Sequence, residues 1–264
     1  MTSTITPLLL TLNESPNIAR TLSRLSWAKE VVVVDSGSTD DTREIAARHP
    51  GVRVCQRPFT SHAEQWNYGL TQTGISTEWV LALDADWLLT DELIAELGAL
   101  TPEAAVAGYR ASFRYCIDGQ PLTGAAYTPV VVLYRRALAT YVQDGHTQRV
   151  HVNGPVTPLT GRILHDDRKP LSHWFSSQLR YQRLEAEKLA RVSMSSLGQF
   201  DRLRRLILIA PAAMFCYCFF LRGGLLNGKA GLFYALQRTT AEMILSLFLT
   251  ERLMRRDRGA EEGR

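Results

Sequence analysis

Residues 30–41 read EVVVVDSGSTDD, and this stretch decides the fold class. Glu30–Val34 is a β-branched run without helical period, which predicts a buried strand that ends at Asp35. The Ser-Gly pair that follows is typical of a turn, and Ser38 or Thr39 can start a helix. A strand, a tight turn and a helix in this order predict a βαβ unit.

The same alternation continues on both sides of this stretch. Short apolar runs predict further strands at Ile5–Leu12, Val52–Cys55 and Trp79–Leu83. Helical spacing of apolar residues predicts helices at Glu14–Trp27 and Ala63–Leu70. Strands that alternate with helices of this length predict an α/β fold with a parallel core sheet.

The pattern changes after residue 102. Val106–Tyr115 and Val130–Arg135 are predicted strands, and Asp118-Gly119 predicts a hairpin turn. From Leu171 the sequence becomes helical. We therefore expect two domains, an α/β domain at 1–170 with halves at 1–100 and 101–170, and a basic, apolar helical region at 171–264.

Composition and charge narrow the class of protein. The 264 residues are 45% hydrophobic and 21% charged, which excludes a disordered chain. Residues 1–167 carry a formal charge of −5 (13 Lys and Arg, 18 Asp and Glu), whereas residues 168–264 carry +9 (17 and 8). A basic C-terminal third indicates either a polyanionic partner, nucleic acid or an anionic membrane, or simply a solvated helix face. Four scattered cysteines and the lack of a secretory leader point to a reducing cytosol.

One apolar run favours the membrane over nucleic acid. Leu206–Leu221 has 16 residues, fewer than the roughly 20 that a spanning helix needs. Arginines flank it on both sides: Arg202, Arg204, Arg205 and Arg222. Such a segment fits an interfacial helix or a re-entrant hairpin with basic anchors; the alternative is that it packs on its own domain.

Two acidic motifs follow predicted strands. The Asp35 loop lies at a strand end, where α/β sheets bind ligands, and the alternative is a capped turn. Asp84-Ala85-Asp86 closes the strand Trp79–Leu83, and two carboxylates at this spacing can share a Mg²⁺ or Mn²⁺ ion with substrate phosphates. The alternative for this second motif is a solvated turn.

These motifs, in this order, resemble those of family 2 glycosyltransferases. The matching stretches are Thr11-Leu12-Asn13-Glu14, Val33-Val34-Asp35-Ser36-Gly37-Ser38-Thr39-Asp40-Asp41-Thr42, Asn67 within His62–Leu70, and Leu83-Asp84-Ala85-Asp86. The chain is similar to bacterial lipopolysaccharide core β-glucosyltransferases. The resemblance implies a GT-A fold, with a Rossmann-like sheet, and an inverting, metal-dependent transfer from a nucleoside-diphosphate sugar.

The resemblance also implies roles for individual residues. Donor-binding residues would be Thr11, Leu12, Asn13, Glu14, Asp35, Ser36, Gly37, Gln65, Asn67, Asp84, Ala85 and Asp86. To these we add Arg168, whose charge in the cluster after His165 suits a diphosphate or a lipid phosphate. The metal ion would be held by Asp84 and Asp86, and we add His165 as a late ligand because it precedes Asp166-Asp167-Arg168-Lys169. The alternative for that cluster is a polar loop before a helix.

Three positions depart from the pattern of these relatives. Trp87 stands where an acidic residue is usual, and Trp66 stands where a lysine is common. The loop that would supply the catalytic base reads His146-Thr147-Gln148 and lacks its glutamate. We therefore rank three other carboxylates as the base: Asp144 first, then Asp166 and Asp167.

These patterns together predict a hexosyltransferase of the cell envelope. Its acceptor would be a lipid-linked or lipopolysaccharide-type glycan, and the protein would bind the inner face of the cytoplasmic membrane as a peripheral protein. A polyprenyl-phosphate glycosyltransferase is the alternative with the same fold. A non-catalytic nucleotide-sugar-binding protein is the alternative from another class. Nucleic acid is not expected as a partner, because long apolar runs interrupt the basic region.

Overall fold

The computed structural model describes residues 4–124, 128–144 and 147–261, and for residues 144, 147, 200 and 256–261 it describes the backbone only. The chain forms two compact units. The first contains the described residues of Met1–Pro121 and Tyr127–Lys169, and the second those of Leu122–Ala126 and Pro170–Arg264.

Four parallel strands form the first half of the main sheet in the first unit. They are β1 (Ile5–Thr11), β2 (Val31–Asp35), β3 (Val52–Gln56) and β4 (Trp79–Asp84). Their order is β3-β2-β1-β4, so β1 lies between β2 and β4. The helices that alternate with them are α1 (Ile18–Ser23), α2 (Thr42–Ala47) and α3 (His62–Gln72).

The second half of the sheet is mixed. Its strands are β5 (Trp87–Leu89), β6 (Gly108–Ile117), β7 (Gln120–Pro121), β8 (Val130–Arg135) and β11 (Val156–His165), with helix α4 (Asp91–Ala99) between β5 and β6. The sheet continues from β4 through β8, β6 and β11 to β5, and only the pair β6 and β11 is parallel in this half. Strands β9 (Ala139–Asp144) and β10 (Thr147–Val152) form a separate antiparallel ribbon.

The β-branched run predicted from the sequence is buried along its whole length. Val31–Asp35 has no exposed residue, because helices cover both faces of the parallel sheet. Val33 belongs to one hydrophobic cluster, together with Leu9 and Leu81, and Val34 belongs to a second cluster on the other face, with Trp66. The predicted α/β fold with a parallel core and flanking helices, GT-A-like in architecture, is confirmed.

The hairpin prediction is also confirmed. Strands β6 and β7 pair antiparallel, with Ile117 opposite Gln120. Asp118 and Gly119 between them both have positive φ, 49° and 78°. Two successive left-handed residues are the geometry of the tight hairpin turn that an Asp-Gly pair favours.

Several elements of the first unit escape the sequence patterns. Helix α4 and the strands β5, β9, β10 and β11 were not predicted, and α1 is much shorter than Glu14–Trp27. Strand β11 alternates between buried and exposed positions and contains Pro158 and Gly161, so its apolar signal is weak.

The second unit is helical, as predicted. Its main helices are α5 (Leu171–Arg191), α6 (Gln199–Arg204), α7 (Ile209–Cys216) and α8 (Gly228–Glu261). The apolar run becomes α7 followed by a π-helical turn at Tyr217–Leu221. Among the described residues, no single helix is both long and apolar enough to cross a membrane. The segments Ile209–Leu221 and Gly224–Arg255 meet these requirements only as a pair, and the pair is bent by 65° at its break.

The arginines before this apolar run make contacts within the second unit. Arg204 is bound to the carboxylates of Glu185 (2.9 Å) and Glu242 (3.1 Å), which are nearly buried. Arg205 donates to backbone carbonyls at the end of α5, and Arg202 donates to the carbonyl of Leu197 (2.8 Å). Arg204 links α6 to α5 and α8, Arg205 links the end of α6 to the end of α5, and Arg202 binds the turn before α6. Their role as membrane anchors stays a prediction.

Candidate active site

The predicted motifs meet at the carboxyl edge of the parallel strands. In the register of the sheet, Asp35 lies beside Thr11 and Asp84 lies beside Leu10. The loops after β1, β2 and β4 are therefore neighbours in space, although the ends of these strands are 24 to 73 positions apart in the sequence. Parallel α/β sheets bind ligands at this edge.

Asp35 is the centre of the first of these loops. Its side chain is completely buried. One carboxylate oxygen accepts hydrogen bonds from the amides of Gly37 (3.0 Å) and Ser38 (2.9 Å), and the other accepts from the hydroxyls of Thr11 (2.9 Å) and Ser38 (2.5 Å). All four bonds are internal, so Asp35 shapes the loop that would face a donor and does not itself reach outward.

The loop after β1 is fastened to the loop after β2. Asn13 has a left-handed backbone with φ 54°, and its side-chain oxygen accepts from the amide of Thr39 (2.8 Å). The backbone amide of Asn13 donates to Ser38 Oγ (2.9 Å). Leu12 beside it is 43% exposed and offers an apolar surface at the strand end. Thr11, Asn13 and Asp35 thus position this edge, while Leu12 is open to a ligand.

Helix α3 supports the site through two polar side chains that were expected to bind the donor. Gln65 is completely buried and donates to Ser36 Oγ (2.9 Å) and the carbonyl of Arg57 (3.0 Å). Asn67 exchanges two hydrogen bonds of 2.9 Å with the backbone of Tyr141 in β9. The structure therefore places Gln65 and Asn67 in positioning contacts.

The second motif brings together residues that are far apart in the sequence. Strand β5 pairs with β11 so that Trp87 lies beside His165. This pairing places His165 Nε2 3.1 Å from Asp86 Oδ2. The other oxygen, Asp86 Oδ1, is buried and has no hydrogen-bond partner among the described residues. Ala85 points into the core, and its carbonyl accepts from Thr21 (2.5 Å).

Burial and mutual repulsion shape the electrostatics of the acidic pair. Burial, reinforced by the charge of Asp86, raises the pKa of Asp84. Burial alone would also raise the pKa of Asp86, but the charge and hydrogen bond of His165 and the charge of Lys169 lower it. The pKa of His165 is raised, because the charge of Asp86 and its hydrogen bond outweigh burial. Negative charge is thus concentrated on Asp86.

This donor set fits a divalent cation in kind. Carboxylates are the ligands that Mg²⁺ and Mn²⁺ prefer, and the unpartnered Asp86 oxygen is available for one. Within the described residues, no group of three or more His, Cys, Asp or Glu side chains is arranged to hold a metal ion. A cation shared with substrate phosphates needs only one or two protein carboxylates, so the absence of such a group is compatible with a shared site.

The segment after β11 is fastened to the start of α1 by a polar network. Arg20 donates to the carboxylate (2.7 Å) and carbonyl (2.7 Å) of Asp166. Asn17, which is fully buried, donates to Asp167 Oδ1 (2.8 Å). Lys169 is paired with Glu14 (2.5 Å). Burial raises the pKa of Glu14 to about 7, against the opposing charge of Lys169. The network fixes the position of His165 beside Asp86.

Sequence reasoning missed Asn17 and Arg20 in this network. With Glu14 they lie at positions i, i+3 and i+6, which is one face of a helical turn. A polar stripe of this kind at the start of a helix that follows a strand was a detectable signal. It had no assigned partner, because the segment it binds lies about 150 residues downstream.

The three candidate bases are placed differently. Asp166 accepts hydrogen bonds from Arg20, Arg168 and the amide of Gly119 (3.0 Å), and these donors lower its pKa although burial opposes them. Asp167 Oδ1 accepts from Asn17 and from the amide of Lys169. Arg168, expected at the donor, is instead bound to Asp118 and Asp166.

The third candidate, Asp144, ends strand β9. Its side chain and the residues Gly145 and His146 lie outside the described part of the structure. The reciprocal hydrogen bonds between Asn67 and Tyr141 fasten this strand to α3, three residues before Asp144.

The two tryptophans that depart from the family pattern are core residues. Trp66 is 3% exposed and stacks on Tyr141, with ring centroids 5.2 Å apart. Trp87 is 8% exposed and packs edge-on against Phe113 at 4.6 Å. Both therefore fill the interior beside the site, and neither is placed to contact a phosphate.

Comparison with known proteins agrees with this arrangement. The Glycosyl transferase family 2 profile matches residues 8–142. The chain is 28% identical over 251 residues to LpsC, the lipopolysaccharide core biosynthesis glycosyltransferase of Rhizobium meliloti, covering 86% of this chain and 87% of LpsC. It is 36% identical over 98 residues to an uncharacterized glycosyltransferase of Rickettsia conorii, covering 37% of this chain and 34% of that protein. Among solved structures, S. aureus TarS 1-349 in complex with UDP is similar, with a TM-score of 0.48 and 16% identity. The match covers 95% of this chain and 91% of the TarS chain. By the extent of the profile match, which spans both acidic motifs, the chain belongs to glycosyltransferase family 2.

Proposed function

We propose that this protein transfers a sugar from a nucleoside-diphosphate sugar to a lipid-linked or lipopolysaccharide-type glycan acceptor, with inversion at the anomeric carbon. Membership of family 2 supports sugar transfer. The similarity to LpsC over most of both chains supports an acceptor of the lipopolysaccharide core type. The observation that carries the proposal is the half-buried carboxylate pair at the strand edge, with Asp86 Oδ1 left available.

The donor would lie across the strand ends. Leu12 offers an apolar surface to a nucleoside base, and the loop that Asp35 shapes presents its backbone beside it. Asp84 and Asp86 would hold a Mg²⁺ or Mn²⁺ ion. When bound, the ion would supply positive charge to neutralise the departing diphosphate. Lys169, which is 13% exposed and whose charge acts on Asp86, adds fixed positive charge on the same side.

We propose Asp144 as the base that takes the proton from the acceptor hydroxyl. Asp166 is held by two arginines and a backbone amide, and its lowered pKa makes it a poor proton acceptor at neutral pH. Asp144 is the last residue of strand β9, which Asn67 fastens to α3 through the backbone of Tyr141. Asp167 remains the second choice, since its Oδ1 already accepts two hydrogen bonds.

The test of the proposed reaction is a transfer assay with radiolabelled nucleotide sugars and two acceptors, a truncated lipopolysaccharide core and a polyprenyl phosphate. We expect product on the core acceptor, no product after Asp86→Asn, and parent activity after Asp91→Asn, whose side chain is 88% exposed. Asp144→Asn should lower kcat by about 10²–10⁴-fold with donor affinity unchanged. Product on polyprenyl phosphate alone would select the alternative acceptor. Donor binding without transfer or hydrolysis would instead indicate a non-catalytic protein.

We also propose that the second unit binds the cytoplasmic face of the inner membrane. Four large apolar side chains at the bend between the segments Ile209–Leu221 and Gly224–Arg255 are more than half exposed: Phe220, Leu221, Leu225 and Leu226. We call this set the apolar tip. Leu221 and Leu226 are 78% and 82% exposed, and a surface of this kind is typical of an interaction with lipid or protein. The bend of 65° fits a segment that enters one leaflet and returns.

Vesicle sedimentation tests this membrane contact. Leu221→Glu with Leu226→Glu should lower the fraction bound to anionic vesicles at least about tenfold, because burying each carboxylate in hydrocarbon costs on the order of 2 kcal/mol or more. Leu236→Glu, at a 49% exposed position of α8 outside the tip, is the control. Unchanged binding of the tip variant would exclude the tip as the membrane contact.

A further inference from the structure

A groove along α5 and α8 plays no part in the proposed reaction. Two adjoining cavities, of about 810 and 500 Å³, lie along these helices within the second unit. Both are lined by Leu179, Phe248 and Glu251, so they form one continuous depression. We call it the α5–α8 groove.

The floor of the groove is aliphatic and uncovered. Leu179, Leu247 and Met254 line it and are 51%, 70% and 55% exposed. Another stripe of α8, with Leu245 and Leu249, is already buried in the core of the second unit. Helix α8 therefore carries more apolar surface than this unit covers, and an exposed apolar strip beside a charged rim is typical of a binding site.

The rim of the groove carries more cations than anions. Of the side chains that the structure describes, four arginines and two glutamates line it: Arg180, Arg183, Arg252, Arg255, Glu187 and Glu251. Glu187 is shared by Arg183 (3.7 Å) and Arg252 (3.2 Å). Among the described side chains, Arg180 has no carboxylate within 4.0 Å, and its guanidinium lies 5.9 Å from the ring of Tyr181. The rim thus has a formal charge of +2, which an anionic ligand would balance.

We propose that the α5–α8 groove binds one anionic phospholipid, with an acyl chain on the aliphatic floor and the phosphate on the arginine rim. Guanidinium groups bind phosphate oxygens through paired hydrogen bonds, and the aliphatic floor matches an acyl chain. The two parts of the groove therefore correspond to the two parts of a lipid. A lipid is favoured over an extended acidic peptide because the floor is formed by side chains of two helices, whose backbone groups are bonded within each helix and so cannot pair with a peptide backbone.

Monomeric short-chain lipids test this site separately from membrane binding and from sugar transfer. Calorimetry with the full chain would compare dihexanoyl phosphatidylglycerol with the zwitterionic dihexanoyl phosphatidylcholine, both below the concentration at which they form micelles. We expect phosphatidylglycerol to bind about tenfold more tightly or better, since each arginine near an anionic headgroup strengthens binding by roughly fivefold.

Two pairs of variants locate the site. Arg180→Gln with Arg183→Gln should weaken phosphatidylglycerol binding by roughly 10- to 30-fold, whereas Arg191→Gln, an exposed position of α5 outside the groove, should not. Leu247→Glu should abolish binding, whereas Leu236→Glu should leave it intact. Circular dichroism and thermal unfolding would establish that each variant is folded.

Several outcomes would overturn the proposal. Equal binding of the two lipids would exclude recognition of the anionic headgroup, and equal effects of groove and control variants would place the lipid elsewhere. A doubled mass in solution that Leu247→Glu restores to the monomer would show that a second copy covers the groove. Binding of an acidic amphipathic peptide but of neither lipid would indicate a protein partner.

Discussion

Replacing Asp35 should lower the thermal stability of the first unit, because its side chain holds a loop together and does not itself contact the donor. The carboxylate is completely buried and accepts four hydrogen bonds, two from amides and two from hydroxyls. Asp35→Ala leaves the Gly37 and Ser38 amides and the Thr11 hydroxyl without this acceptor. Each buried donor left unsatisfied costs about 1–3 kcal/mol, and at the lower end of this range the loss of this acceptor costs about 3–5 kcal/mol in total.

The expected change in melting temperature follows from this estimate. For a unit of this size, 1 kcal/mol corresponds to about 2–4 °C, so Asp35→Ala should lower Tm by roughly 6–20 °C. Asp35→Asn keeps the shape and can still accept from both amides, but it loses the charge. It should cost about 1–2 kcal/mol, or roughly 2–8 °C.

Thermal unfolding followed by circular dichroism measures these shifts, and calorimetry with nucleoside diphosphates measures the accompanying loss of affinity. Asp41→Ala is the matched control, because Asp41 lies in the same loop, is exposed and makes no side-chain capping bond. Its Tm should change by no more than about 2 °C. If Asp35→Ala melted like this control while nucleotide affinity collapsed, Asp35 would be a direct ligand contact and our assignment of a positioning role would be refuted.

Three further substitutions test the packing around the site. Arg20→Gln removes two hydrogen bonds to Asp166 and should lower the free energy of unfolding by about 1.5–3 kcal/mol. It should also speed hydrogen exchange at the amide of Asp166, which donates to the Asp86 carbonyl, and unchanged exchange would contradict the network. Gly161→Ala would bring its Cβ within 2.5 Å of the α4 backbone and should cost about 1–3 kcal/mol in thermal unfolding, whereas Gly98→Ala, with open space around it, should be neutral or stabilising. Trp87→Asp introduces the acidic residue that is usual in the family, but at a core position. It should lower the free energy of unfolding by about 3–5 kcal/mol with no gain in the rate of sugar transfer. Wild-type stability of this variant would show that Trp87 is not a core residue.

The strands that the sequence predicts well are those that form short, mostly apolar runs. Strands β1, β2 and β4 are buried on both faces, so they appear as largely apolar runs, and the predicted bounds of β1 to β4 agree with the structure to within one residue. The strand Val130–Arg135 is predicted at its observed bounds for the same reason. In contrast, β11 is half exposed, and β5 has only three residues, so neither carries a pattern that periodicity can detect.

For the site, the sequence by itself determined which carboxylates follow the parallel strands. A strand of given direction must end at a given edge, so Asp35 and Asp84 could be placed at one edge from local patterns alone. Local patterns could not tell which of these side chains would point outward. Asp35, Gln65 and Asn67 turned inward because their partners, Thr11, Ser36 and Tyr141, lie on other elements.

Only the tertiary structure decided which residues surround Asp86 of the acidic motif. His165 reaches Asp86 because β11 pairs with β5, and Arg20 and Asn17 hold the following residues because α1 packs beside them. These contacts join residues 79 to about 150 positions apart. Hydrogen bonds and ion pairs act over a few ångströms of space and carry no sequence period, so pairings at such separations exist only once the sheet has brought the two ends of the unit together.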